Sequence, residues 1–515
     1  MKMKFRYLVN SAMLWTALAL GSCADFLDRE PYSEPVDESY WNSEEDVEAA
    51  VAGGYGLLRA ALANHSAYYA YGDIAGTNVF SKFEYEDEDW NQMNQFKLDY
   101  AIAASETYRP LKQLRNYQLF YRVVNQCNRA LKKVGQMSDE VFDDGEKEKY
   151  IGELYFLRGY TYFYMYRIWG ELPIVTTSPD NVINADYVAR SPLADVAALI
   201  YSDLEEARVR LPWEYEDNAN FAVRANKGVV FATLAHMAAW DRDYAKCVAA
   251  CDSVLNSGVY TFEARETLEN IYKNDSKELI FQLFFNSEEE APDASSGIQY
   301  TTVFFLDILA SPYLTTAINK EKPNKFLNTG FISSVFPDST DYRRKTFIGL
   351  AAGGDIIPIK YTDVQIESAS SGSIYPANNY VIFRLSEVYL NAAEAGVKIG
   401  GASAVKGLNY LNAIVQRANP AKEVTAAEYT LDRVLEERSK ELIGEGHRFF
   451  DMLRNGKTIV RKGGYHLPGI VEEIDWDYYK CVLPIPTDQF TFSPDMEQES
   501  ETESQTQSQF PSQEE

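Results

Sequence analysis

Two stretches of the chain repeat one another in side-chain size and spacing. From Asn226 to Gly258, Leu234 and Ala235 are followed, twelve residues after Ala235, by Cys247 and then by Cys251 and Val254. From Phe383 to Arg417, Tyr389 and Ala392 are followed at the same interval by Ala404, then Leu408 and Leu411. Small residues at both positions let two paired helices approach closely, and the apolar residues fill the seam between them. A third unit is split. The helix holding Tyr155, Gly159 and Tyr162 reads as a first half, and its partner, Ser191 to Leu211, is displaced by a proline-containing insertion from Gly170 to Arg190. Such pairs must stack, because one pair alone cannot bury its own apolar face.

These offsets match the tetratricopeptide spacing of roughly 34 residues, and the periodicity elsewhere agrees with a mostly α fold. Ser43-Glu44-Glu45-Asp46, placed before Val47, Ala50 and Val51, predicts a capped helix running to about Ala63. Helical period further predicts helices over 107–134, 146–169, 192–210, 225–241, 243–257, 380–398, 402–417 and 430–454. Strand-like signals are short and scattered: Leu172 to Thr176, Glu278 to Phe285, Ile356 to Tyr361 and Val482 to Ile485. At 515 residues and 46% apolar, the chain can bury a sizeable core. No Pro/Gly/Ser-rich linker or charge block divides its middle, so one large body with insertions and two domains both remain open.

The first residues bear on where the protein resides. Lys2, Lys4 and Arg6 precede an apolar run from Met13 to Leu20, followed by Leu20-Gly21-Ser22-Cys23. This is a positive start, an apolar stretch too short to span a bilayer stably and a small-residue cleavage site, which together predict a signal peptide over residues 1–22. Cysteine directly after Leu-Gly-Ser also resembles a bacterial lipobox, in which Cys23 is acylated and begins the mature chain. Two or three acyl chains, at about 0.8 kcal/mol per buried CH₂, would anchor it to outer-membrane lipid without a transmembrane helix. Removal of the leader leaves 46 bases against 76 acids, a net charge of −30. That field repels phosphate backbones, so nucleic acid is not an expected partner.

Catalytic and cofactor motifs are missing from the sequence. His65, His236, His447 and His466 form no HExxH or His-x-His pair, and no G-x-S-x-G or Cys/His signature is present. No cofactor, metal or catalytic residue is therefore expected, and a lipid-anchored hydrolase is the weakest alternative. Cys127, Cys247, Cys251 and Cys481 make no CxxC pair and read as buried thiols. Glu437, Arg438, Glu441, Glu445, Arg448 and Asp451 recur at spacings of three and four, as alternating charges along one predicted helix. An arginine at helical distance holds each carboxylate ionised, which suits structural ion pairing rather than general-acid chemistry. His447 reads as a packed or hydrogen-bonded side chain.

The same residues carry a resemblance. Cys23-Ala-Asp-Phe-Leu-Asp28 followed by Pro31, Tyr40-Trp41 before the acidic cap, and Asn125, Cys127 and Asn128 within Tyr121 to Leu131 resemble the SusD/RagB-like outer-membrane lipoproteins of Bacteroidetes. The sharpest part is Leu435-Glu-Glu-Arg438-Ser-Lys-Glu441-Leu-Ile-Gly-Glu445-Gly446-His447-Arg448-Phe-Phe-Asp451-Met-Leu-Arg454, then Leu483-Pro-Ile-Pro486. The resemblance spans residues 23–490 and implies a tetratricopeptide-like helical scaffold with a loop-rich second subdomain. It implies a surface-exposed, non-enzymatic protein that captures oligosaccharide for a SusC-like TonB-dependent transporter, with peptide capture as the alternative. Residues 491–515 depart from the family as an acidic, low-complexity tail.

Sugars bind through aromatic rings under their C–H faces and planar polar side chains on their hydroxyls. Exposed loops holding both are the expected sites. The first stretch runs from Tyr68, Tyr71, Asp73 and Asn78 past Glu84 to Trp90 and Gln95, where the family's loop-borne contacts fall, and Trp90 is the expected platform. The second, Asn286 to Tyr313, contributes Tyr300 by the same resemblance. Both contain acid runs, Glu84 to Asp89 and Glu288 to Asp293, which lack EF-hand spacing and read as solvated rather than calcium-binding.

Overall fold

The computed structural model describes residues 40–81, 88–94, 100–103, 105–178, 188–215, 221–273, 276–285, 307–314, 320–366, 374–376, 378–456 and Leu483. Cys23, Tyr300, Cys481, the predicted leader, the C-terminal tail and the strand expected over Val482 to Ile485, apart from Leu483, lie outside them.

The chain opens with α1 (Glu44–Ala63), started by the expected capping box. The Ser43 hydroxyl accepts from Asp46 N at 3.3 Å, and the Asp46 carboxylate accepts from Ser43 N at 2.9 Å. The short helices α2 (Glu88–Asn94) and α3 (Pro110–Leu114) precede α4 (Gln118–Gln136). The single helix expected over 107–134 is thus broken at Arg115–Tyr117. Then comes α5 (Glu146–Trp169), which is buried on all sides from Phe156 onward and forms the axis of the core. It pairs with α6 (Leu193–Arg210) across the expected insertion, whose described ends form β1 (Leu172–Pro173) and β2 (Arg190–Ser191). Arg158 on α5 grips Asp203 on α6 at 2.8 and 2.7 Å and donates to Asn128 on α4 at 2.7 Å, so one guanidinium ties three helices together.

The second pair is α7 (Lys227–Trp240) and α8 (Tyr244–Leu255), capped by Asn226 and Asp243. After β3 (Leu279–Leu283) the path runs through α9 (Thr329–Val335), α10 (Tyr342–Phe347), the hairpin of β4 (Ile348–Leu350) and β5 (Ile356–Pro358), and that of β6 (Val364–Ile366) and β7 (Ile374–Pro376). It returns as β8 (Tyr380–Arg384), antiparallel to β3. Pairing of β3 with β8 closes this whole excursion at its base, so the third helix pair resumes where the second stopped. Sequence periodicity reads 380–398 as one helix. The β-branched and aromatic run Tyr380-Val-Ile-Phe383 pairs with β3 instead, and α11 begins at Leu385.

The third pair is α11 (Leu385–Ile399) and α12 (Gly401–Ala418), with α8 packed on α11 to continue the stack. Ala235, Cys247, Cys251 and Ala392 are all buried, as the repeat requires, and Cys127, Cys247 and Cys251 are free thiols. Ala404 is only half-buried. The close approach falls one turn along, where a Cβ on Gly396 would stand 3.0 Å from the Gly407 Cα. No helix of the described residues is long and apolar enough to cross a membrane.

The helix expected over 430–454 is two: α13 (Leu431–Glu441) and α14 (Arg448–Arg454). Gly444 and Gly446, with φ of 73° and 77°, turn the chain between them in the left-handed region that glycine adopts without strain. Glu437 pairs along its helix with Arg433 at 2.8 Å and Asp451 with Arg454 at 2.6 Å, but Arg438, Glu441 and Glu445 do not pair along one helix. Glu441 meets Arg343, Arg384 and Arg417, Glu445 meets Arg384 and Lys360, and Arg438 forks onto Asp451 at 2.7 and 2.8 Å. Ion pairing is structural, as expected, but Glu441 and Glu445 draw their partners from distant elements. His447 Nδ1 lies 3.0 Å from Glu387, which His236 Nε2 also meets at 2.6 Å, so His447 is a hydrogen-bonded interior side chain.

Candidate ligand-binding site

The start of the first predicted loop, Tyr68 to Ile74, is helical. After α1 the axis breaks at His65 and Ser66, whose φ values of 46° and 57° are left-handed, and the chain re-enters helix over Ala67–Tyr69 and a π turn over Ala70–Ile74. Two consecutive non-glycine residues in that region constitute local strain, held by the packing on either side. The turn lies against α14. Tyr68 sits beside Tyr164 and His447, with ring centroids 6.3 and 6.5 Å away. Tyr71 packs on Trp169 at 6.0 Å and donates its hydroxyl proton to the Leu114 carbonyl. Asp73 accepts from Gly446 N in the glycine turn at 2.7 Å and from Arg448 N, the first amide of α14, at 3.3 Å. Burial pushes its pKa up to about 6, against the pull of those amides and of His447.

Tyr68, Tyr71 and Asp73 were expected on an exposed surface. All three are interior, because the helical turn points their side chains at α3, α5 and α14.

Trp90 and Asn78 lie farther along, in a polar junction of three segments. Gly76 N donates to Met93 O at 3.0 Å and Asn94 Nδ2 to Thr77 O at 3.3 Å, pinning the strand-like run 76–81 to α2. That run meets 326–328: Ser81 N donates to Phe326 O at 3.0 Å and Asn328 N to Val79 O at 2.9 Å. Lys325 Nζ stands 4.6 Å from the centroid of the Trp90 ring and pairs with Asp307, which also accepts from Asn324 at 2.8 Å. Asp89, the neighbour of Trp90, takes Arg109 and the Leu111 amide.

The junction thus brings the first predicted stretch against Asp307 of the second. Trp90, however, is 4% exposed rather than open, because α2 tucks it beneath the segment that carries Lys325. Asn78 and Gln92 are also buried, and their amide oxygens Oδ1 and Oε1 have no hydrogen-bond partner among the described residues. Two buried free acceptors suit hydroxyl donors. Sequence reading missed Gln92, Asp307 and Lys325, since nothing local couples them to Trp90. Among the described residues no group of three or more His, Cys, Asp or Glu side chains could hold a metal ion.

Residues 25–238 match a SusD-like family model described as "Starch-binding associating with outer membrane", and residues 336–502 match one described as "SusD family". A SusD superfamily protein from Bacteroides vulgatus has a crystal structure that aligns with 89% of this chain and 98% of its own. It is 32% identical, with a TM-score of 0.69. The chain belongs to the SusD superfamily. A SusD homolog from Bacteroides thetaiotaomicron shares the fold at a TM-score of 0.75 and 20% identity, covering 89% of this chain and 98% of that one. "SusD-like protein P38" of Formosa agariphila is 23% identical over 89% of this chain and 93% of its own length. In this SusD-family chain the two matched regions meet within the core: Tyr68 to Asp73 of the first pack directly against Gly446 to Phe450 of the second.

Proposed function

We propose that this chain is a non-catalytic glycan-binding lipoprotein, anchored in the outer membrane through an acylated Cys23 and displayed at the cell surface. It captures oligosaccharide and passes it to a SusC-like TonB-dependent transporter. The observation that carries this reading is the near full-length similarity to SusD proteins, one of whose family models is described as starch-binding. That match begins at residue 25, just after the lipobox cysteine, in keeping with a mature chain that starts at Cys23.

The carboxylates of the charged run from Glu437 to Asp451 suit ion pairing rather than acid catalysis. Burial alone would raise Glu437, Glu441 and Glu445, but neighbouring Arg343, Arg384, Arg417 and Lys360 hold all three below the ordinary carboxylate range. Asp451 is held at about 2, where Arg438 and Arg454 outweigh burial. A glycosidase's proton donor needs the opposite shift.

Two experiments test the reading. Cys23→Ala is expected to move the protein from the detergent phase to the aqueous phase in phase partitioning; quantitative retention with the membrane would remove acylation at Cys23 as the anchor. Trp90, with Asn78 from the same stretch and Tyr300 from the second, is proposed to line the ligand site. Because Trp90 is buried, Trp90→Ala would also open a cavity costing about 3 to 5 kcal/mol. Trp90→Phe keeps most of that packing and is the variant to titrate. Its affinity for the oligosaccharide that the wild type binds best on a glycan panel should fall about tenfold, or about 1.4 kcal/mol. Unchanged affinity in calorimetry would take this ring out of the site.

A further inference from the structure

Among the described residues, the exposed ring best placed for a sugar is Phe284 rather than Trp90. Leu283, Phe284 and Phe285 follow one another at the end of β3, and the strand pleat turns the outer two inward and Phe284 outward. Leu283 and Phe285 are 3% and 5% exposed, whereas Phe284 is 49% exposed. Its backbone is fixed on both sides: Arg59 Nη1 donates to the Phe284 carbonyl at 2.8 Å, and Phe285 N donates to Asn379 Oδ1 at 2.9 Å. The Phe285 ring is anchored on Tyr380, 4.5 Å between centroids.

Phe284 borders a cavity of about 330 Å³ between α1 and the end of β3. Its volume is that of a small-ligand site. One wall is α1, with Tyr55, Gly56 and Arg59; the other is Arg224 with Leu283 and Phe284. Arg224 is held by Glu153, to which its Nε donates at 3.0 Å, while its Nη1 makes, among the described residues, a single 3.5 Å contact with Glu48. The Tyr55 hydroxyl donates to the same Glu153 at 2.7 Å and accepts from Ala225 N at 2.9 Å. The polar wall is therefore fixed before any ligand arrives. Its charges balance, with Arg59 and Arg224 against Glu48 and buried Glu153, which favours a neutral ligand over an anion.

We infer that this cleft is a second carbohydrate subsite, in which a neutral pyranose lays its C–H face on Phe284 and takes hydrogen bonds from Arg224 Nη1. The inference rests on the glycan-binding reading above but not on Trp90. Arg224 is a poor probe, because its removal would strand Glu153 in the interior. Two gentler variants suffice. Phe284→Ala removes an exposed ring, and Gly56→Leu fills the cleft from a helical position where a Cβ meets nothing within 4 Å.

The test is calorimetric titration with the neutral oligosaccharide that wild type binds best on a panel of plant, fungal and host glycans, run beside Trp90→Phe. Phe284→Ala and Gly56→Leu should each weaken binding about tenfold or more with unchanged melting temperatures. Wild-type affinity in both, with Trp90→Phe weakened, overturns the subsite and leaves the glycan-binding reading standing. Should no neutral glycan bind the wild type, both fall together.

Discussion

Arg384→Ala is expected to destabilise the protein by about 3 to 5 kcal/mol, because it removes the cation at the centre of a buried cluster of acids. Arg384 lies at the junction of β8 and α11 with essentially no solvent contact. Its Nη1 donates to Glu278 at 2.9 Å, Ser386 at 2.8 Å and Glu441 at 2.6 Å, its Nε donates to Glu445 at 2.7 Å, and its Nη2 reaches the Glu441 carbonyl at 2.7 Å. One planar fork thus joins the β3/β8 base, α11, α13 and the turn after it. Burial opposes its charge, yet Glu445 and Glu441 hold its pKa well above the usual value. Arg384→Lys keeps the charge but not the fork, and should recover only part of the loss. Urea denaturation of the three proteins measures it. A midpoint unchanged in Arg384→Ala would mean that the cluster contributes nothing net to stability. The acids also set the response to pH. Glu437, Glu441 and Glu445 have folded pKa values below their unfolded ones, so their stabilisation is present above about pH 4.3 and is lost as pH falls through the folded values.

Gly72→Ala should cost about 4 kcal/mol or more, enough to abolish accumulation of folded protein. A Cβ at Gly72 would stand 2.0 Å from the Gly446 carbonyl oxygen and 2.4 Å from its Cα. Those are backbone atoms, held by Asp73 at the adjoining amides, so no rotamer change relieves the contact. Recovery of soluble protein with native near-ultraviolet circular dichroism would show that the π turn can move away from α14.

How much of this was legible in sequence differs by element. The capping box at Ser43, the span of α5 and the buried small residues of the α7/α8 pair all follow from local chemistry: a side chain three residues from its partner amide, or apolar groups at a fixed helical offset. Gly444 and Gly446 were visible too, within a motif whose charge spacing read as continuous helix. Their left-handed turn outweighs that spacing, and Glu441 and Glu445 then pair with arginines and a lysine far away in sequence.

The candidate site shows the sharper limit. Tyr68, Tyr71, Asp73 and Trp90 carry the residue types a sugar site needs, and sequence reads them as one surface loop. Whether a ring faces solvent depends on which helix lands on it, here α14 on the π turn and the Lys325 segment on α2. Phe284 carries no local signal within the predicted strand, because the outward face of a strand end shows only once β8 has paired with β3. The sequence by itself determined the helical repeat, the strong negative charge and the family, since each is written in residues close together or in a simple sum. Which aromatic rings stay open, which acids find arginines and where a cleft remains were decided only by tertiary structure, because burial is a property of long-range packing.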